Sequence, residues 1–148
     1  MKNSEVQRLA ITHQVGEHSI RVVDPVSLLA CKLHLALKVD QTNRRDTDHV
    51  RILVLCVRAF LRETLLGAEA GALPVRGWLG AVERVLKLSE STQGRRAVRQ
   101  LELDWHLALP QAEITASELK PVVQFRGKRL AQWRAKQEQT FKRPGRAT

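Results

Sequence analysis

The chain has few of the residues that mark disulfide-rich proteins or nucleotide-binding loops. Among its 148 residues there are two cysteines, no tyrosine and eight glycines, each isolated from the others. Gly-rich phosphate loops of the Walker and GxGxxG types are therefore absent from the sequence. Cys31 and Cys56 lie in apolar helical runs, which predicts small buried thiols in a reducing compartment rather than a disulfide framework. We expect a cytoplasmic protein.

Long uncharged hydrophobic runs are also missing. Arg58 and Arg62 interrupt the best candidate for a bilayer span, and the polar start MKNSEVQRL lacks the apolar core of a secretory signal. We therefore expect no membrane partner. The length and the 43% hydrophobic content suit one folded domain. We assign that domain to residues 1–140 and predict a disordered basic tail over 141–148.

Acidic residues are scarce in the second half of the chain. Residues 75–148 hold 15 Lys/Arg and 7 Asp/Glu, against 10 and 8 in residues 1–74, for a net charge of +10. This excess predicts attraction to nucleic acid, an acidic partner or an anionic surface, without choosing among them. Cations interleaved with an aromatic ring make six residues the candidates for nucleic-acid binding: Arg126, Lys128, Arg129, Trp133, Arg134 and Lys136. The alternative is an amphipathic helix that packs Leu130 and Trp133 on the body.

Near the N-terminus, the pattern of apolar residues predicts a β-hairpin. Apolar residues alternate loosely around a polar turn at 14–19, first Val6, Leu9 and Ile11, then Ile20, Val22 and Val23. Two strands alone are not stable in water, so the hairpin needs a helix or further strands to pack on. Its exposed edge is also a place where another chain could pair, including a second copy of this one.

The remaining sequence has helical periodicity. Asp24 as N-cap and Pro25 as first helical residue predict a helix that ends near Val39. A second helix, from Asp46 to Leu66, is apolar on nearly every side, which predicts burial on nearly every side. Further helices are expected after Pro74, over 95–109, and after a capping box at 115–118. The predicted class is mainly α (α+β), with about five helices behind a short N-terminal hairpin.

One pair of carboxylates, in Asp46-Thr47-Asp48, could bind a divalent metal. The favoured interpretation is helix capping and ion pairing with Arg44, Arg45 or Arg51. The five histidines show no metal-ligand spacing. We predict no metal site, no resident cofactor and no complete catalytic set in this chain.

The central stretch resembles the second half of the minimal nucleotidyltransferase-like superfamily, which includes the nucleotidyltransferase toxins of type IV toxin–antitoxin systems. The resemblance covers about 45 residues and rests on a strand leading into a Leu-rich helix, followed by a loop and a charged start to a long apolar helix. The matching segments are Ile20–Val23, Asp24-Pro25, Leu28-Leu29, Lys32, Arg44-Arg45-Asp46 and Asp48-His49.

The resemblance implies that Lys32 faces nucleotide phosphates, and that Arg45, Asp46 and Asp48 brace the helix pair beside the site. In the family the chemistry rests on a Gly-Ser pair and a strand-borne Asp-x-Asp upstream of this segment. The chain has no Gly-Ser dipeptide, and only about 20 residues precede Asp24. We therefore expect a truncated or degenerate member that transfers no nucleotide alone. Mg²⁺ would enter only if the missing strands were supplied.

Three functions follow, in order of preference. The first is a nucleotidyltransferase-like helical module, inactive alone, that acts with a partner or is a remnant. The second is a small basic nucleic-acid-binding protein that uses the C-terminal helix. The third is a structural or interaction protein whose hairpin edge pairs with another chain.

Overall fold

The structure is a computed structural model that describes residues 7–142. Within that range six α-helices follow a two-stranded hairpin, which confirms the predicted mainly α class. The elements in chain order are β1 (Ile11–Val15), β2 (His18–Val22), α1 (Pro25–Lys38), α2 (Asp46–Glu69), α3 (Val75–Glu90), α4 (Thr92–Leu101), a 3₁₀ turn (Trp105–Ala108), α5 (Gln111–Ala116) and α6. Helix α6 comprises Lys120–Phe125, a π-helical turn over Arg126–Leu130, and Ala131–Lys142.

The hairpin is antiparallel, with Ile11 opposite Val22 and Val15 opposite His18. Its two-residue turn begins at Gly16, whose φ of 61° is a conformation that glycine adopts without steric cost. The predicted pair of strands is confirmed. Leu9, however, lies in a turn before β1 rather than in the strand, and Val6 lies outside the described residues.

Helix α1 begins where its capping residues predict. The Asp24 carboxylate accepts hydrogen bonds from the backbone N–H groups of Val26 and Ser27, both at 3.1 Å. Helix α1 then packs along α2, and its Leu33 and Ala36 belong to the core cluster that includes residues of α2. Because the first turn is satisfied locally, this helix start could be predicted from Asp24 and Pro25 alone.

Three tryptophans are the largest fully buried side chains of the core. Trp78, Trp105 and Trp133 are all fully buried, and Trp78 meets Phe125 edge to face at 5.5 Å between ring centroids. The indole N–H of Trp105 donates to the Gly94 carbonyl at 3.1 Å. This hydrogen bond ties the 3₁₀ turn to the start of α4.

Helices α3 and α4 meet at a tight junction. Ser91 ends α3 and also caps α4, where its hydroxyl accepts from the Gly94 N–H. A Cβ on Gly94 would lie 2.1 Å from the Leu88 carbonyl oxygen, so only glycine allows this approach. The helix predicted over 95–109 is wrong: α4 ends at Leu101 because Glu102 adopts a left-handed φ of 52°.

The predicted capping box at 115–118 is also wrong. Thr115 and Ala116 belong to α5, and Ser117 follows that helix as its C-cap. The next helix begins at Lys120, with Pro121 in its first turn, and continues to Lys142. Residues 141 and 142 of the predicted disordered tail are therefore helical, and 143–148 lie outside the described residues.

Burial along α2 differs from the prediction. One side is buried, through Val50, Val54, Val57, Leu61 and Leu65, but the other side is exposed. Both cysteines are exposed as well, which corrects the prediction of buried thiols. Cys56 lies on that exposed side of α2, which the hairpin covers only in part, and Cys31 lies at an exposed position of α1. None of the described helices has the length and hydropathy that a bilayer span requires.

Candidate functional site

The first candidate site is an ion cluster around Asp46 at the start of α2. Asp46 is 2% exposed, and its Oδ1 accepts from Lys32 Nζ at 3.0 Å, from the middle of α1. Its Oδ2 accepts from Arg44 Nε at 2.5 Å, from the loop between the helices. Gln41 Nε2 lies 3.5 Å from the same oxygen. We call Lys32, Arg44 and Asp46 the Asp46 cluster.

The cluster fixes the charge of its central carboxylate. Hydrogen bonds from Arg44 and then from Lys32 lower the pKa of Asp46 to about 2, and the same contact raises the pKa of Arg44. Asp46 is therefore ionised at neutral pH. Two cations against one acid leave the cluster with an excess positive charge, and the ammonium of Lys32 stays partly open to solvent.

Of the four residues that the resemblance places at a nucleotide site, the structure brings two together. Lys32 and Asp46 form an ion pair. Arg45 is exposed and makes no side-chain cap to α2, while Asp48 is exposed and lies 3.8 Å from Arg51. The predicted ion pairing is confirmed for Asp46 with Arg44 and for Asp48 with Arg51. The predicted capping is not: among the described residues neither carboxylate accepts a backbone N–H of α2.

A second buried carboxylate, Asp24, serves the fold in a similar way. Besides capping α1, it accepts hydrogen bonds from the Ser27 hydroxyl and from Arg84 on α3, the latter at 3.0 Å. The Ser27 hydroxyl also accepts from Arg84 at 2.7 Å. Within the part of the chain that the structure describes, no three acidic, histidine or cysteine side chains are grouped to bind a metal.

The six residues proposed for nucleic-acid binding are largely committed to the body of the protein. Trp133 is fully buried and donates its indole N–H to Ser89 Oγ at 2.7 Å, so its ring offers no face for stacking. Packing of Leu130 and Trp133 on the body, the alternative stated above, is what the structure contains.

The cations among those six residues also have partners. Arg129 pairs with Glu83 and with Glu90, both at 2.9 Å, and the hydrogen bonds to Glu90 and Glu83 raise the pKa of Arg129. Lys136 adds a 3.1 Å ion pair to Glu90. Arg126 donates to carbonyl oxygens at the end of α5, Arg134 donates to Gln111, and Lys128 is exposed.

The second candidate site is an exposed apolar surface. On α2 the exposed apolar residues recur at helical spacing, namely Ile52, Leu55, Cys56, Ala59 and Leu66. On the hairpin Val15, Ile20, Val22 and Val23 are exposed. We call these two sets together the hairpin–α2 surface. Single exposed apolar side chains are common, but Ile52, Leu55, Cys56 and Ala59 follow one helix face for two turns before Arg62 and Glu63 interrupt it, which makes this face a candidate contact surface.

A groove joins the two parts of this surface. Ile11, Val22 and Val23 line one side of it, and Cys56, Ala59 and Phe60 line the other. Ile11, Val22, Val15, His13 and Ile20 share one face of the hairpin by their register. That face covers α2 only at the base of the hairpin, so the tip residues Val15 and Ile20 extend into solvent.

Sequence reasoning missed this surface because it treated α2 as buried all round. A usable signal was present, since two strands cannot cover a 24-residue helix.

Comparison with known proteins adds no relative. No protein-family model matches the chain, and searches of curated proteins and of solved structures found no match. The resemblance to nucleotidyltransferases therefore rests on the sequence motif alone.

Proposed function

We propose that this protein is a partner-binding helical module that joins another polypeptide through the hairpin–α2 surface. The observation that carries the proposal is the exposed apolar stripe of α2, continued by the exposed apolar face of the hairpin. Covering such a surface removes apolar area from water, at roughly 25 cal/mol for each Å² buried.

The shape of the surface favours a partner that supplies β-strands. A helix with an apolar stripe is normally covered by a second layer, and here the hairpin provides only two strands of such a layer. Each strand has one partner among the described residues, so each keeps a free edge. A strand added to a free edge would extend the sheet, pair its own backbone and cover apolar residues of the hairpin–α2 surface.

The test begins by finding the partner through contact with this surface. A photo-crosslinking amino acid at Ile52 should capture the partner in cells, whereas the same group at Arg99, on α4, should not. The complex is then reconstituted from the purified proteins. Leu55→Asp should prevent its formation, because a carboxylate would be buried against apolar atoms.

The control is Val123→Asp, which alters an exposed apolar residue on α6 in the same way. It should leave the complex intact, and the hairpin amides of the wild-type complex should gain protection from hydrogen exchange. The proposal fails if Leu55→Asp and Val123→Asp bind equally well, or if the hairpin amides gain no protection.

A second candidate function follows the resemblance. In this version the module belongs to a nucleotidyltransferase-like assembly and transfers no nucleotide alone. The Asp46 cluster favours it, because Asp46 holds the partly exposed Lys32 side chain, whose ammonium suits an anionic phosphate. The bound partner would supply the metal-binding strands and Mg²⁺.

Transfer is measured with Mg²⁺, labelled nucleotides and tRNA or protein acceptors. We expect no incorporation by the chain alone. With the partner present, Lys32→Ala should lower incorporation and Lys38→Ala, on the same helix, should not. Incorporation by the chain alone that Lys32→Ala or Asp46→Ala abolishes would contradict the proposed inactivity.

The free thiols are relevant to where the module works. Cys31 and Cys56 are both exposed and unpaired with each other, and Cys56 lies inside the hairpin–α2 surface. Exposed thiols persist in a reducing compartment and oxidise elsewhere. This supports a cytoplasmic location as part of the proposal.

A further inference from the structure

A polar pocket lies where the junction of α3 and α4 meets the last part of α6. Its volume is about 480 Å³, within the range of small-molecule sites. The side chains that matter for its chemistry are Ser89, Glu90, Arg95, Lys136 and Gln137. None of them belongs to the hairpin–α2 surface or to the Asp46 cluster, so this site is independent of the proposed function.

The charges at the pocket sum to a positive value. Arg95 is exposed at its edge and forms no ion pair with any described residue. Glu90 is the one acid in the lining, and its carboxylate is already shared between Arg129 and Lys136. The hydrogen bond from Arg129 is the main cause that lowers the pKa of Glu90, so this acid is neutralised by its neighbours rather than by a proton. The Arg95 guanidinium therefore remains available to an anion.

An amide side chain also lines the pocket. Gln137 is 5% exposed as a residue, and its side chain makes no hydrogen bond with any other described residue. A ligand oxygen in the pocket would give the Gln137 N–H an acceptor.

The floor of the pocket is rigid. Ser89 is 1% exposed, donates its hydroxyl hydrogen to the Leu86 carbonyl at 2.6 Å, and accepts from the buried Trp133 indole. Ser89 and Trp133 thus give the pocket a hydrogen-bonded floor, above which Arg95 and Gln137 lie.

We propose that this pocket binds a phosphate group, carried by a nucleotide or by single-stranded nucleic acid. A guanidinium fork and an amide N–H are donors suited to phosphate oxygens, and the second cation, Lys136, stands beside them. The site uses one residue, Lys136, of the six that the sequence nominated for nucleic-acid binding. Arg95 and Gln137 were not among them.

The experiment compares three phosphate ligands with the full chain at low salt. Isothermal titration calorimetry measures the binding of inorganic phosphate and of a nucleoside monophosphate. Fluorescence anisotropy measures the binding of a labelled single-stranded oligonucleotide. If the pocket binds a nucleotide, the monophosphate binds and the oligonucleotide binds no more tightly than the monophosphate. If the pocket binds nucleic acid, the oligonucleotide binds far more tightly than the monophosphate. Either result supports the site when the variants below respond.

Two variants and two matched controls assign the binding. Arg95→Ala should lower the affinity for the tightest-binding of the three ligands about tenfold, since it removes a charge-assisted donor. Gln137→Glu, which keeps the size and polarity of the side chain, should weaken it by about the same factor through repulsion of the phosphate. Arg99→Ala and Lys128→Ala remove exposed cations outside the pocket and should change affinity by less than about twofold. Thermal melts of each variant check the fold.

Two outcomes would overturn the proposal. One is the absence of binding by all three ligands to the wild-type chain. The other is an equal loss of affinity in Arg95→Ala and Arg99→Ala, which would mean that general positive charge, rather than this pocket, attracts the ligand.

Discussion

In the helical body most valine and leucine side chains lie in a core, whereas many of those in the hairpin and on the outer side of α2 face water. Leu33 of α1 is fully buried, while Leu55 of α2 is 46% exposed. Both helices are regular, so the difference lies in what covers each face. A regular helix can therefore form whether or not its apolar face is buried. The helical body is covered by packed helices, whereas the hairpin–α2 surface lacks a covering layer.

The largest expected effect tests this comparison with one chemical change at two places. Leu33→Ala should lower the free energy of unfolding by about 2–5 kcal/mol, because it leaves a cavity in the core. Leu55→Ala should lower it by about 0.5 kcal/mol or less, because its side chain is already in water. Urea denaturation measures both. Equal losses would mean that the outer side of α2 is packed in solution.

A glycine pair extends the test to the backbone. Gly94→Ala should lower the free energy of unfolding by about 1–3 kcal/mol, because the new Cβ would clash with the Leu88 carbonyl at the α3–α4 junction. Gly80→Ala, in α3, has no neighbour within 4 Å of the new Cβ and should stabilise the protein by about 0.5–1 kcal/mol. Thermal melts give the two shifts, and a neutral Gly94→Ala would show that the two helices separate without cost.

The sequence predicted the features that depend on neighbouring residues. Asp24 and Pro25 set the start of α1, and Asp46 sets the start of α2, because caps and first-turn residues act within one helical turn. The end of α4 at Glu102 was not predicted, because a glutamate in the left-handed region carries no local signal.

Features that depend on distant residues were harder to predict. Lys32 and Asp46 stand 14 residues apart, and the family resemblance put both in one site without stating that they form an ion pair. Exposure of Cys31 and Cys56 was predicted wrongly, since an apolar helix face does not reveal whether another element lies over it. The pocket at Arg95 and Gln137 joins α4 to α6 and has no sequence motif at all.

A smaller effect is expected at the end of α4. Glu102→Gly should raise the free energy of unfolding by up to about 1 kcal/mol, because glycine adopts the φ of 52° without strain but loses more backbone entropy on folding. Glu118→Gly is the matched control, since that exposed residue does not have a positive φ and gains nothing from glycine. If both changes destabilise the protein alike, the left-handed conformation of Glu102 stores no strain.

The last expected effect is confined to acid and concerns the Asp46 cluster, which links α1 to the start of α2. Arg44 and Lys32 hold the pKa of Asp46 at about 2, below its value of roughly 3.9 in an unfolded chain. The unfolded state therefore binds the proton more readily, and the stability from this carboxylate is present above about pH 4 and lost as the pH falls towards about 2. Asp46→Asn should make the acid loss of stability less steep in that window. In Asp46→Asn the free energy of unfolding should still fall with pH to some extent, because Arg129 lowers the pKa of Glu90 and Arg62 lowers that of Glu113.

Asp48→Asn supplies the control for this last measurement. Asp48 is exposed, two residues further along α2, and lies 3.8 Å from Arg51 rather than in a buried ion pair. Urea unfolding at several acidic pH values gives the free energy of unfolding as a function of pH. Its pH dependence should be that of the wild type in Asp48→Asn and weaker in Asp46→Asn. Equal slopes in the two variants would mean that Lys32 and Arg44 do not hold Asp46 in solution, and the join between α1 and α2 would then depend on apolar packing alone.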